Sequence, residues 1–204
     1  MRPLGGVQDG RGWLDYRSIS VQGEVLPQAN GSARITIAHG GTEVLAAVKI
    51  ETGVPSADAP HEGRVEVCVE CSNSLFPTFD DRSGGDVNAA LSLMLARTVV
   101  ESGALDLKSL CIIPGRFCWI VYLDVLVLQA DGNLLDAASF AAYVAFNTAL
   151  VPRTTVISGE GAGVEDDFEI DGDLNTATRL PGADKVHEQL HLDQVQTVQL
   201  FVTT

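Results

Sequence analysis

Trp119-Ile-Val-Tyr-Leu-Asp-Val-Leu-Val-Leu-Gln-Ala-Asp-Gly-Asn-Leu-Leu-Asp-Ala137 is the stretch whose reading decides the fold. It sits inside an apolar run, Cys118 to Leu128, broken only by Asp124 and long enough for a central strand. Asp131-Gly132-Asn133 then supplies a corner, because Asp, Gly and Asn tolerate the positive φ that tight turns require. Beyond the corner, Leu134 to Leu150 is alanine-rich, with the length of a buried helix, and Pro152 closes it. Upstream, Leu110 to Ile113 reads as a short strand stopped by Pro114-Gly115, and Arg116 lies in the turn leading back to Cys118. Strand, turn, strand, turn, helix is the plan between Leu105 and Arg153.

Working outward, Ile19 to Leu26 alternates apolar and polar residues and predicts a strand with one buried face. Asn30-Gly31 is a hairpin-turn signal. Ala33 to Ala38 and Thr42 to Ile50 then read as paired strands, with Gly40-Gly41 turning between them. A Pro- and Gly-bearing loop, Thr52 to Gly63, precedes Arg64 to Cys71, where Val65, Val67 and Val69 alternate with Glu66, Cys68 and Glu70. Ser72 to Gly85 reads as a polar loop. Asp86 to Ser102 has helical spacing, with Asp86 as N-cap and Gly103 as terminator. Residues 154–158 predict a short strand, Gly159 to Leu174 an acidic, partner-facing or mobile loop, and Val195 to Val202 a final strand. Mixed strands and helices in this order make an α+β fold.

A chain of 204 residues can bury one sizeable core, and its net charge is −14. The acid is uneven: residues 1–159 hold 11 Lys and Arg against 17 Asp and Glu, and residues 160–204 hold 2 against 10. Such a balance argues against a protein that grips nucleic acid by its own charge. The sequence has no long uncharged apolar run of membrane-spanning length, and Met1 to Gly5 lacks the apolar stretch of a secretory signal. Cys68, Cys71, Cys111 and Cys118 read as reduced thiols of a soluble intracellular protein.

Gln129-Ala130-Asp131-Gly132 after an apolar strand, followed by an alanine-rich helix, resembles the active-strand segment of the RNase PH family. Asp131 to Ala137 is closer to one branch, the RNase PH-like ring subunits of the RNA exosome, of the subtype that pairs with the catalytic-type subunit. Other segments agree in order. They are Asp9-Gly10-Arg11 with Tyr16-Arg17, Asn30 to Arg34, Gly41 to Leu45, Val48-Lys49, Pro60 to Gly63, Ser102 to Leu110 and Cys118-Trp119. The resemblance spans Asp9 to about Arg153. It implies an RNase PH-like fold of the ribosomal protein S5 domain 2 type, with 1–153 as its main part. It also implies that 154–204 carries the acidic loop and the start of an incomplete second half.

The same resemblance implies a structural subunit of the exosome core ring, supporting 3′–5′ RNA processing and degradation, including that of rRNA. Its partners would be other RNase PH-like ring subunits and single-stranded RNA threaded through the pore, with no membrane. Its locations would be nucleus, nucleolus and cytoplasm. No cofactor is implied, and inorganic phosphate only if the chain is active. The alternative is an active phosphorolytic 3′–5′ exoribonuclease, alone or in a heterodimer. Asp131 would then act with Asp124, and Asp136 lies nearby. Phosphorolysis also needs positive charge on the attacking phosphate. Catalytic members carry a Gly/Ser-Arg loop before the first long helix, where this chain has Ser83-Gly84-Gly85-Asp86, so an anion there would meet Asp86 and Glu70. For RNA contact the resemblance implies Arg97, with Arg116 and Arg82 as loop residues that could face the pore.

Two further patterns carry less. His187-Glu188-Gln189-Leu190-His191 matches H-E-x-x-H, but neither a third His nor a downstream Glu follows, so no zinc peptidase is expected. Cys68 and Cys71 would point to opposite faces of a strand, so no metal site is expected there either.

Overall fold

Period-two alternation and one long apolar run build a six-stranded mixed sheet. The computed structural model describes residues 16–38, 41–72, 75, 81–101, 103, 105–157, 159 and 166–183. The strands are β1 (Ile19–Gly23), β2 (Gly31–Ile37), β3 (Thr42–Gly53), β4 (Arg64–Cys71), β5 (Cys111–Ile113) and β6 (Phe117–Gln129). Their order is β1-β2-β3-β6-β4, with β5 joined to the start of β6. β6 is the hub: it runs antiparallel to β3, with Val48 opposite Leu123, and parallel to β4, with Val69 opposite Val125. A strand paired on both sides along its length must be apolar on its covered face. Val121, Leu123, Val125 and Val127 are all buried there.

Helix α1 (Asp81–Ala96) continues into a π-helical turn, Arg97–Glu101, and packs on β4. Helix α2 (Leu134–Thr148) lies across β2 and β3. Its buried face is mostly alanine (Ala137, Ala138, Ala141, Ala142, Ala145) with Phe146 at its end, so helix and sheet approach closely. Gly31 marks the closest point, where a Cβ would stand 2.3 Å from the Ala145 carbonyl oxygen. After α2 come β7 (Leu150–Val151), β8 (Thr154–Ile157), β9 (Asp167–Ile170) and β10 (Thr178–Arg179). β10 pairs with β7, and Leu180 and Ala183 join the main core.

Four sequence expectations change. Asn30-Gly31 is not a two-residue hairpin turn, because β1 and β2 are joined through residues 24–30 with Gly23 opposite Ala33. Asn30 instead ties strands together: its Oδ1 accepts from Ile50 N at 3.0 Å and its Nδ2 donates to Leu150 O at 3.2 Å. The first helix starts at Asp81, so Asp86 is an exposed residue within it and not its N-cap. Leu107–Leu110 forms a 3-10 turn capped by the Asp106 side chain, which shortens β5. The supposed loop from Gly159 contains β9, antiparallel to β8 with Phe168 opposite Val156. The strand expected at Val195 to Val202 and the His187–His191 pattern lie outside the described residues. Among the described residues, no helix is long and apolar enough to cross a membrane.

Candidate functional site

The corner between β6 and α2 is held from below by one hydroxyl. Thr42, at the start of β3 and 1 % exposed, accepts at Oγ1 from Asp131 N (3.0 Å) and donates to Gly132 O (2.6 Å). Arg17 Nη1 donates to Asp131 O from the solvent side at 3.4 Å. Gly132 (φ 85°) and Asn133 (φ 57°) are both left-handed, the conformation that glycine and asparagine reach most easily. The backbone of Asp131 is therefore fixed while its side chain stands exposed at the surface.

The N-terminus of α2 follows immediately, and its free N–H groups and dipole would favour an anion. Its first turn, however, is Leu134, Leu135 and Asp136, with no base and one acid. Asn133 makes no side-chain cap, so the acid of Asp136 is what complements the dipole. The phosphate loop that the resemblance implies falls at Ser83 to Asp86. Those residues lie in the first turns of α1, whereas the helix end that adjoins Asp131 is that of α2.

Asp124 does not converge with Asp131. It lies mid-strand on the outer face of β6, between Ala47 of β3 and Cys68 of β4, seven residues before Asp131. At about 3.3 Å per strand residue that is roughly 20 Å, too far for two carboxylates to share one phosphodiester. Around Asp124 is a shallow groove of about 360 Å³ lined by Leu26, Leu45, Ala47, Cys68 and Glu70. Burial first, and then the charges of Glu70 and Asp124, push the Cys68 thiol above its ordinary value. With Glu70 and Asp124 in its lining and no Lys or Arg among its lining residues, the groove disfavours anionic ligands. Asp136 is exposed on the first turn of α2.

The three arginines have separate settings. Arg97 is exposed at the first residue of the π-helical turn. Arg116, in the β5–β6 turn, donates from Nη1 to Asp166 O at 2.9 Å and sits 5.5 Å from the Phe117 ring centre. Phe117 in turn rests 4.9 Å from Phe168 of β9, so Arg116 helps hold β9. Arg82 stands on α1, not in a loop. On β4, Cys68 is exposed while Cys71 is half-buried against the core, as strand alternation requires. No group of three or more metal-type ligands forms among the described residues. Thr42 escaped the sequence reading as a site residue; a threonine opening a strand carries no local signal of the corner it clamps.

Residues 15–152 match the model of the 3′ exoribonuclease family, domain 1, and the chain belongs to that RNase PH family. Among curated relatives it is similar to the exosome complex component Rrp42 of Methanosarcina acetivorans, 39% identical over 153 residues, covering 75% of this chain and 57% of the relative. The Rrp42 component of Methanocella arvoryzae is 36% identical over 197 residues, covering 96% of this chain and 74% of the relative. The chain thus spans little more than half the length of the first of these. Among solved structures it resembles a chain of the Archaeoglobus fulgidus exosome with RNA bound to the active site. The TM-score there is 0.65 at 36% identity, covering 71% of this chain and 56% of that one. An archaeal exosome core gives a TM-score of 0.60 at 35% identity, covering 71% and 53%. The α+β fold and the family implied by the Gln129 to Gly132 segment hold.

Proposed function

We propose that this chain is a non-catalytic subunit of an exosome core ring, supporting 3′–5′ RNA degradation by assembly and by walling part of the RNA path. The observation that carries the reading is the first turn of α2. The first turn of α2 itself offers Asp136 and no base, and among the described residues the one cation bonded at this corner, Arg17, is engaged with the Asp131 carbonyl, so the helix end beside Asp131 is poorly furnished to offset the charge of a phosphorolytic transition state. Other RNase PH-like ring subunits are its partners and supply that charge. Arg97 on α1 is the side chain assigned to single-stranded RNA. Arg116 and Arg82 are the further candidates for RNA contact. The chain needs no cofactor of its own. We place it in the cytoplasm rather than a nucleus or nucleolus, because the Rrp42 relatives matched here come from archaea, cells without a nucleus.

The test is to mix the full chain with a catalytic-type ring homologue, follow assembly by light scattering, and assay decay of poly(A) with and without inorganic phosphate. Assembly with decay that is absent from the chain alone, and unchanged by Asp131→Ala, supports the reading. Phosphate-dependent decay by the chain alone, lost in Asp131→Ala, overturns it. The second reading is a phosphorolytic exoribonuclease active only in a heterodimer. It is favoured by the exposed, backbone-clamped Asp131. It predicts that decay by the assembled complex is lost with Asp131→Ala.

A further inference from the structure

Cys111 of β5 stands directly opposite Cys118 of β6 in an antiparallel register, so both side chains leave the sheet on one face. Residues so placed are about 4.5–5.5 Å apart at Cα, inside the roughly 4.4–6.8 Å that a disulfide spans. The Cys111 N–H is spent on Lys108 O, so the pair is not the doubly hydrogen-bonded kind and its side chains take the closer spacing. Their access differs: Cys118 is fully buried, while Cys111 is partly exposed. Cys68 and Cys71 are the contrast. Three residues apart on β4, they point to opposite faces and cannot join. The segment from Cys111 to Cys118 also holds the turn on which β9 is seated. Gly115 N donates to Pro60 O at 2.7 Å, Arg116 donates to Asp166 O, and Phe117 rests on Phe168.

We infer that Cys111 and Cys118 form a thiol–disulfide switch, closed by a small-molecule disulfide, that staples the β5–β6 turn and with it the seat of β9. Cys111, the reachable thiol, gives up its proton, and its Sγ attacks one sulfur of the reagent disulfide. The reagent's S–S bond breaks, and one half leaves as a thiol carrying that proton. Cys118 gives up its proton in turn, and its Sγ attacks Cys111 Sγ, forming the Cys111–Cys118 bond and expelling the second half as a thiol. Two protein thiols are oxidised and one reagent disulfide is reduced to two thiols, so no other oxidant enters. An excess of a reducing thiol runs the exchange backwards. Burial holds both thiols above their ordinary value, with the charge of Cys111 adding to this at Cys118 and Arg64 opposing it. At neutral pH both therefore persist as protonated thiols until a disulfide arrives. The inference uses only the β5–β6 turn and stands apart from the ring reading.

The full chain, reduced and then held in cystamine, tests it, with remaining thiols blocked by iodoacetamide before peptide mass mapping. The expected result is a Cys111–Cys118 cross-link that dithiothreitol reverses, while exposed Cys68 carries only the reagent. In Cys118→Ala the reagent stays on Cys111, and in Cys111→Ser the buried Cys118 remains unmodified. Cys111→Ser changes a partly exposed site and keeps the order of attack testable whatever Cys118→Ala does to stability. On closure, amide exchange over residues 112–117 and 166–170 should slow by about threefold or more. A chain that gives no cross-link under native conditions overturns the inference, as does one that joins Cys111 or Cys118 to a different cysteine. So does an adduct on Cys118 in Cys111→Ser, or a cross-link that leaves exchange in those two segments unchanged.

Discussion

Helices α1 and α2 contribute to one core but meet solvent differently. In α2 nearly every apolar residue is turned inward, and Ala145 and Phe146 are completely buried. In α1, Leu95 is completely buried, while Leu93 and Met94, two and one residues before it, are left half exposed. The difference follows from what each helix covers. α2 lies over β2 and β3 in the sheet interior, whereas α1 lies on β4, at the end of the strand order among the described residues. A helix over the middle of a sheet closes the core, and a helix at its edge keeps a face for something else.

The contrast can be broken from the α2 side first. Phe146→Ala opens a void at a fully buried site and should lower stability by about 4 kcal/mol, read by urea unfolding. Gly31→Ala comes next. Its Cβ would stand 2.3 Å from the Ala145 carbonyl oxygen and 2.6 Å from Ala149 N, backbone atoms that cannot swing aside. A loss of about 3 kcal/mol is expected, with α2 lifted from β2, and a neutral result would show that the helix can slide. Thr42→Val keeps shape but strips both hydrogen bonds from the Asp131–Gly132 corner. It should remove about 1–2 kcal/mol, with Thr42→Ser restoring most of it. Leu93→Glu on α1, at a half-exposed position, should change stability by no more than about 0.5 kcal/mol. A large loss of stability there would mean that α1 is as much a core helix as α2.

Much of this was readable in the residues. The run from Cys118 to Leu128 announced a central strand, because a strand with neighbours on both sides has little room for charge. The alternation in Arg64 to Cys71 announced one buried face. The Asp131-Gly132-Asn133 corner was legible because two of its residues adopt the left-handed backbone that those residue types favour. Other features were not legible. Asn30-Gly31 has the composition of a tight turn, yet Asn30 hydrogen-bonds Ile50 and Leu150 and Gly31 makes room for α2. Gly84-Gly85 suggested a loop, but near a helix start glycine is tolerated and α1 begins before it. Asp124 and Asp131 looked like a pair in the chain, and only the extension of β6 shows them to be far apart.

The sequence by itself determined the strand and helix types, the corner at Asp131, the family and the acid excess. Each of these is a local property: a period, a turn chemistry, a motif or a count. Only the tertiary structure decided that Thr42 clamps the corner, that Asp136 occupies the helix end beside Asp131, and that one face of α1 is left open. Those depend on which distant segments are brought into contact. The sheet order that places β3 beside β6 and leaves β4 at the edge arises from long-range pairing, and no short stretch of the chain encodes that pairing alone.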